Sequence, residues 1–363
     1  MCIRDRVKGF GAGFRNRNPL ILLVAAALLI PALLGFEYLF TSGAWSVVPL
    51  KYCLRNDADS FTYVSWTVGY NKRRPPKLPA VYLTGGSAAR EAIVSGPGLA
   101  ADVRRSGGPR IAAWDLACIN QNFAETLAVA DNVPDSPAWV LIGVNLGRFT
   151  ALPAQNEQQV IGRDLVLKRS FLQKYVASAY GRYTYSYTIL PGILSYLTSY
   201  LKQDGSALLE ARLTAREYKQ HHYTLSGIHT PGQKERMVAQ WNAERHPVFQ
   251  RNLAYNLAML EQLVVRCAQR GVQAVIVELP LNEAVVKGRF DGAIAEYRLP
   301  LRAMAAAHDV PYIDFNRELA IPSADFHDLS HLVEPGRVIW QKQLARELSR
   351  LLRESLGAES GAL

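Results

Sequence analysis

The feature that most constrains this chain is an uncharged apolar run near its N-terminus. It extends from Asn18 to Phe36, between Arg17 and Glu37. A helix of that length covers about 28 Å, close to the hydrocarbon thickness of a bilayer. Pro31 lies inside the run, but a proline is tolerated within a membrane span. The sequence therefore predicts a single membrane-spanning helix, and residues 1–44 form a cytoplasmic stub and anchor.

The charges before this run predict its orientation. Residues 1–18 contain five Lys or Arg and one Asp. Because cations favour the cytoplasmic side, the N-terminus is expected inside and the chain after residue 40 outside. A cleaved signal peptide is the alternative, since Ser42-Gly43-Ala44 supplies small residues. The apolar run is longer than the roughly 7 to 15 residues of a usual signal core, which favours the anchor.

The distribution of charge argues against a nucleic-acid-binding protein. The 363-residue chain carries a formal net charge of +10, and much of it lies in residues 1–18 and in Lys72, Arg73, Arg74 and Lys77. The remainder is nearly neutral, so no nucleic-acid partner is expected. The segment from Lys72 to Lys77 combines cations with prolines, so residues 45–79 are expected to be an exposed stalk. Attraction to anionic lipid headgroups or to an acidic envelope polymer is the alternative.

Five short apolar runs rich in β-branched residues predict buried strands. Helical periodicity occurs in several of the segments between or after them, including 253–269 and 338–352. Apolar strands that alternate with helices favour a parallel sheet covered on both faces, which is a three-layer α/β/α sandwich. The five runs are Ala80–Thr84, Ile111–Leu116, Ala138–Val144, Val272–Leu279 and Val310–Phe315.

This alternation is interrupted over residues 151–260, where the pattern is helical, polar and rich in tyrosine. A helical insertion is therefore predicted between two halves of the sandwich, 80–150 and 261–363. Its tyrosines are expected to pack a small core of their own; the alternative is a lip for a carbohydrate chain or a position at the bilayer interface. They are Tyr175, Tyr180, Tyr183, Tyr185, Tyr187, Tyr196 and Tyr200.

Two short segments place polar side chains directly after predicted strands, where open parallel sheets bind ligands. Ser87 follows Gly85-Gly86 at the start of a predicted helix, where unpaired backbone N–H groups favour a developing oxyanion. Asn145 ends a middle strand, and its amide can donate to a carbonyl oxygen that becomes anionic. Each segment alone also fits an ordinary turn or helix cap.

A third segment lies before the last predicted helix and reads DFHDLSH. Asp328 and His331 are three residues apart, so one turn can place the carboxylate beside the imidazole and prepare it for proton abstraction. Asp325 is the alternative carboxylate. No Cys/His spacing typical of a metal site occurs, so neither a metal nor an organic cofactor is expected.

The order of these three segments resembles the SGNH/GDSL hydrolase superfamily over about 80–150 and 261–350. The resemblance implies a flavodoxin-like fold. It implies that Ser87 is the nucleophile, with its base and orienting carboxylate supplied by His331 and Asp328. Asn145 and the Ser87 backbone N–H would then belong to the oxyanion hole.

One residue departs from the family pattern. The family's second oxyanion donor is a glycine N–H after the second strand, whereas residues 115–122 contain no glycine. Asn120 is the best match, because asparagine tolerates left-handed backbone angles.

The anchor, the outward-facing domain and the helical insertion also resemble membrane-anchored proteins that modify envelope polymers. The sequence thus predicts a serine esterase or O-acyltransferase that acts on a cell-envelope polysaccharide or polymer. The expected partner is a cell-envelope polymer or an acylated carbohydrate. A membrane acyltransferase is a candidate partner. The alternative is a catalytically inactive SGNH-like module that binds polysaccharide or acts as a scaffold.

Overall fold

The computed structural model describes most of the chain. The described residues are 19–56, 58–135, 137–153, 165–167, 190–201, 218, 221, 223 and 227–360. Tyr175, Tyr180, Tyr183, Tyr185 and Tyr187 lie outside them, as do residues 1–18. The described part is an α/β structure in which helices flank a parallel sheet and one apolar helix precedes the folded domain.

The sheet has five parallel strands in the order β2-β1-β3-β4-β5. Every strand lies within one of the five predicted runs, which confirms the parallel sheet expected from the sequence. Their bounds are Ala80–Thr84 (β1), Ala112–Asp115 (β2), Ala138–Val144 (β3), Gln273–Glu278 (β4) and Tyr312–Ile313 (β5).

The described α-helices are numbered in chain order. They are Pro19–Thr41 (α1), Leu50–Cys53 (α2), Ser60–Arg73 (α3), Ser87–Arg90 (α4), Gly96–Arg105 (α5), Phe123–Asn132 (α6), Leu190–Leu201 (α7), Pro231–Gln240 (α8), His246–Gln269 (α9), Glu283–Val286 (α10), Asp291–Ala307 (α11) and Glu334–Ser360 (α12).

Side chains from alternating positions of the strands join two separate hydrophobic clusters. Tyr82 and Ile142 pack in one cluster with side chains from α6 and α9. Leu83 and Leu141 pack in the other with side chains from α5 and α12, among them the fully buried Trp340. Because both faces are covered, the strands are apolar at nearly every position. Each such buried side chain stabilises the fold by roughly 1.5–3 kcal/mol.

The α1 helix, Pro19–Thr41, is long and apolar enough to span a membrane, with a mean hydropathy of 2.5 over Leu20–Thr41. Its leucines are exposed; Leu28, for example, is 70% accessible. A helix that leaves such side chains outside any protein core is suited to lipid, as the sequence predicts.

The stalk predicted over 45–79 is wrong for its central part. Residues 60–73 form α3, in which Val64 and Val68 are fully buried against the same cluster as α6. These two valines lie four residues apart and so share one face of the helix. Asp59 caps α3 by accepting from the backbone N–H of Thr62. In the sequence, the basic residues at the end of the segment mask this pattern.

The predicted boundary at residue 260 is also wrong, because it falls inside α9. That helix begins at His246, and its first turn already packs in the core, where Phe249 is fully buried. Asn256 donates from Nδ2 to the backbone carbonyls of Phe149 and Ala151, each at 3.0 Å. The packed core therefore includes residues well before 260, and Val238 of α8 is already buried in the same cluster.

Candidate active site

The three predicted segments meet at the carboxyl edge of the sheet. Ser87 follows β1, Asn145 follows β3, and the segment that carries Asp328 and His331 crosses the same edge before α12. Strands β1 and β3 are neighbours, and the connections on either side of them run to opposite ends of the sheet. Parallel sheets form a crevice at such a point. All four side chains, together with Asn120, line a cleft of about 870 Å³.

A continuous chain of hydrogen bonds joins the serine, the histidine and the aspartate. His331 Nε2 lies 2.8 Å from Ser87 Oγ, and His331 Nδ1 lies 2.7 Å from Asp328 Oδ2. The other Asp328 oxygen accepts from the backbone N–H groups of Ser330 and His331, each at 2.9 Å. Asp328, rather than Asp325, is therefore the carboxylate beside the imidazole.

The protonation of Asp328 fixes the roles of the two ring nitrogens. Burial opposes its ionisation, but the hydrogen bond and attraction from His331, with the backbone N–H donors, hold its pKa well below the usual range. An ionised carboxylate can only accept hydrogen bonds, so Nδ1 of His331 carries the proton. Nε2 is then left to accept the proton of Ser87.

The sharp turn that presents Ser87 depends on glycine. Gly85 has φ 148°, a conformation that favours glycine, and a Cβ there would lie 2.7 Å from Ala89 Cβ. Strand β1 can therefore turn directly into the single turn of α4. Ser87 is the first residue of that helix, so its backbone N–H has no acceptor within the helix. A donor is thereby left beside its own hydroxyl.

Asn145 serves as a helix cap without losing its donor. Its Oδ1 accepts from the backbone N–H of Arg148 at 3.2 Å, at the start of a 3₁₀ turn, Leu146–Thr150. With Oδ1 held in this way, the amide nitrogen remains a donor at the cleft. The capping and oxyanion interpretations of Asn145 are therefore compatible.

Asn120 adopts a left-handed conformation, which asparagine tolerates better than most residues. Its φ is 52°, and its side chain is exposed at the cleft. This is a backbone region in which glycine is ordinarily favoured. Asparagine can thus occupy the position that the family pattern gives to glycine.

Sequence reasoning missed the side chain that fixes this loop. Gln121 is buried, and its Oε1 accepts from the backbone N–H of Gly85 at 2.8 Å and from Thr126 Oγ1 at 3.0 Å. Its Nε2 donates to the Leu116 carbonyl at 3.1 Å. The loop that bears Asn120 is therefore tied to the turn that presents Ser87. No sequence signal marks one glutamine for this role.

A buried ion pair joins the segment after Ser87 to α12 and was also not predicted. Glu91 is fully buried and Arg337 is 4% exposed. Arg337 pairs with the Glu91 carboxylate and donates from Nε to the Glu91 carbonyl at 3.2 Å. Breaking a buried pair of this kind typically costs about 3–5 kcal/mol. The pair thus joins the segment directly after the Ser87 helix to the helix that follows His331.

The opposite end of the cleft, beyond β4, is polar. Glu278 accepts from Tyr297 Oη at 2.7 Å and also from Tyr312, and Arg298 lies beside it. Burial raises the pKa of Glu278, and Arg298 opposes that effect. The half-buried Glu283 lies in the same wall and makes no side-chain hydrogen bond or ion pair with any described residue.

The interpretation of this site rests on its geometry. No protein-family model matches this chain, and no curated protein sequence matches it. Among the described residues, no group of three or more His, Cys, Asp or Glu side chains is placed to hold a metal ion.

Proposed function

We propose that this chain is an SGNH-type serine esterase or O-acyltransferase acting on a cell-envelope polysaccharide. The observation that carries the proposal is the hydrogen-bonded chain from Ser87 through His331 to Asp328 at the sheet edge. The strand order supports a flavodoxin-like fold. The two clusters, one on each face of the sheet, favour its three-layer form.

The geometry supports a two-step acyl transfer. As Ser87 Oγ attacks the acyl carbon, His331 Nε2 takes the hydroxyl proton and Asp328 stabilises the resulting imidazolium. The imidazolium then protonates the departing alkoxide, and the acyl group remains esterified to Ser87. Water or a sugar hydroxyl, deprotonated by the same histidine, attacks this ester. As the bond from the acyl carbon to Ser87 Oγ breaks, the imidazolium returns its proton to Ser87 Oγ.

The oxyanion formed in each step needs donors that are already in place. Asn145 Nδ2 and the backbone N–H groups of Ser87 and Asn120 are the candidates at this end of the cleft. Removing one such donor typically lowers kcat by about 10²–10³-fold. This chemistry requires no metal or organic cofactor.

The far wall of the cleft supports a carbohydrate substrate. An acyl group alone would leave much of the 870 Å³ empty, whereas a sugar chain could extend from Ser87 towards β4. The side chains of Glu283, Arg298 and Asn316 supply acceptors and donors for hydroxyl groups. Half-buried Trp241 adds an apolar ring.

In this proposal α1 crosses the membrane with its N-terminus in the cytoplasm, so that the cleft faces the cell envelope. The five cations before the span support this orientation. An envelope polymer would then reach the cleft from outside. A membrane acyltransferase would be a suitable partner to supply acyl groups.

A fluorophosphonate probe tests the activity. The full chain in detergent should be labelled, and Ser87→Ala and His331→Ala should abolish labelling. Ser330→Ala is the matched control, because it removes a hydroxyl two residues from Asp328 but keeps the backbone N–H that Asp328 uses. Labelling that persists in Ser87→Ala would refute the assignment.

The absence of a loop glycine favours one second candidate, an inactive module that binds polysaccharide. In that case well-folded wild-type protein would bind the polymer without reacting with the probe. Melting temperatures of the variants and the wild type establish that each is folded.

A further inference from the structure

The outer end of the anchor is built into the folded domain. Phe40, in the last turn of α1, is 8% exposed and packs against Trp45 with ring centroids 5.4 Å apart. Both belong to a small cluster with Ile193 and Tyr196 of α7. The anchor therefore enters the domain through packed side chains.

The backbone directly after α1 is also in close contact with α3. Gly43 has φ 74°, and a Cβ on it would lie 2.3 Å from the carbonyl oxygen of Gly69 in α3. The chain directly after the anchor is thus pressed against α3. A side chain at position 43 would force the two apart.

Two side-chain hydrogen bonds fasten α3 to the same segment. Lys72 Nζ donates to the carbonyl of Thr41 at 2.8 Å, which satisfies an otherwise unpaired acceptor at the end of α1. Trp66 Nε1 donates to the carbonyl of Val48, also at 2.8 Å. These bonds and the glycine contact make the anchor and α3 one rigid unit.

The length of α1 sets the depth of this joint. A 23-residue helix covers about 34 Å, against a hydrocarbon thickness of about 30 Å. The last turn of α1 consequently reaches the headgroup layer when the helix spans. Lys72, bonded to Thr41, lies at that level.

The surface around the joint combines exposed apolar, aromatic and basic side chains. Val47, Val48 and Tyr52 are 63%, 43% and 46% exposed. Lys51, Arg73, Arg74 and Lys77 are exposed, and none forms an ion pair with a described residue. Trp66 stacks on Tyr70, and the guanidinium of Arg74 lies 5.3 Å from the Tyr70 ring centre. We call these side chains the basic-aromatic surface.

We propose that the basic-aromatic surface docks on anionic phospholipid headgroups and holds the domain at a fixed orientation to the bilayer. Aromatic and apolar side chains of this kind are favoured at the membrane interface. In the proposed orientation the surface faces the outer leaflet, and where that leaflet is anionic each nearby cation favours association by roughly fivefold. Continuity with α1 identifies the occupant as lipid, because the joint already places the surface at headgroup depth.

The full chain in vesicles tests this independently of catalysis. A nitroxide label is placed at Arg73→Cys or, as the control, at Arg346→Cys, which is exposed on α12 across the sheet. Both variants carry Cys2→Ser, because Cys53, Cys118 and Cys267 are buried. The vesicles contain phosphatidylcholine and phosphatidylglycerol at 7:3 with a trace of nickel-chelating lipid. Headgroup nickel should relax the label at position 73 several-fold more than at 346; equal relaxation would overturn the proposal.

Reversing charges on the basic-aromatic surface tests whether it contacts the headgroups or is only held near them by the joint with α1. Lys51→Glu with Arg74→Glu, or vesicles of phosphatidylcholine alone, should reduce the relaxation at position 73. Salt at 1 M, where the screening length is about 3 Å, should do the same. Relaxation unchanged by all three would show that the joint alone sets the distance. If the basic-aromatic surface bound only to an added acidic polymer, that polymer would be its partner and the lipid proposal would be overturned.

Discussion

At the Ser87 end of the cleft the polar groups of the triad hold one another in place, whereas at the β4 end Glu283 has no side-chain partner among the described residues. Under the proposed function, the first end would carry out the proton transfers. The second would offer a carboxylate to hydroxyl groups of the substrate. The difference predicts that changes at the first end alter turnover and that changes at the second alter substrate binding.

The largest effect is expected from Asp328→Asn. The amide can donate to the imidazole and so favours the wrong tautomer, which should lower kcat by about 10⁴-fold with little change in KM. Turnover of a small activated ester measures this. Asp325→Asn is the control and should retain wild-type turnover; equal losses in both variants would contradict the assignment of Asp328.

Asn145→Asp should have the next largest effect. The carboxylate can still accept from the Arg148 N–H, so the cap survives, but the donor to the oxyanion is lost. A fall in kcat of about 10²–10³-fold is expected. A melting temperature near that of the wild type would separate this loss from unfolding. Full activity in Asn145→Asp would exclude Asn145 from the oxyanion hole.

A smaller effect is expected from substitutions of Asn120, which lies at the Ser87 end of the cleft. Alanine at φ 52° should destabilise the loop by about 1 kcal/mol and present the N–H less well. A several-fold fall in kcat is expected for Asn120→Ala, whereas Asn120→Gly should match or exceed the wild type. Unchanged kcat in Asn120→Ala would show that this backbone N–H does not stabilise the oxyanion.

The sequence predicts the triad better than its supports, for a physical reason. Strand periodicity and the carboxyl-edge rule place Ser87 and Asn145 on one rim without any tertiary contact. Gln121 and the pair Glu91 and Arg337 act through contacts between segments far apart in the chain. Such contacts leave no local pattern, because a buried charge and a solvated one are the same letter in a sequence.

The wrong prediction for α3 has a different cause. Val64 and Val68 have the spacing of one helix face, but the cations and prolines that follow them are typical of an exposed linker. In the structure those cations lie on the exposed side of the joint with α1. The basic residues therefore show that one surface of this segment is exposed. They do not show whether the segment is folded.

The β4 end is tested by Glu283→Gln. Burial and the nearby Asp291 raise the pKa of Glu283, although Arg317 and Arg298 oppose the shift. The carboxylate accepts hydrogen bonds more strongly than the neutral amide. KM for an acylated polysaccharide should therefore rise several-fold, with kcat for a small ester unchanged.

Glu318→Gln is the control, because Glu318 is exposed outside the cleft. If Glu283→Gln changes both substrates equally, the carboxylate acts on the triad and the two ends are not separate. If it changes neither, the polymer does not reach β4. Only an effect confined to the polysaccharide supports a division of the cleft into a reacting end and a binding end.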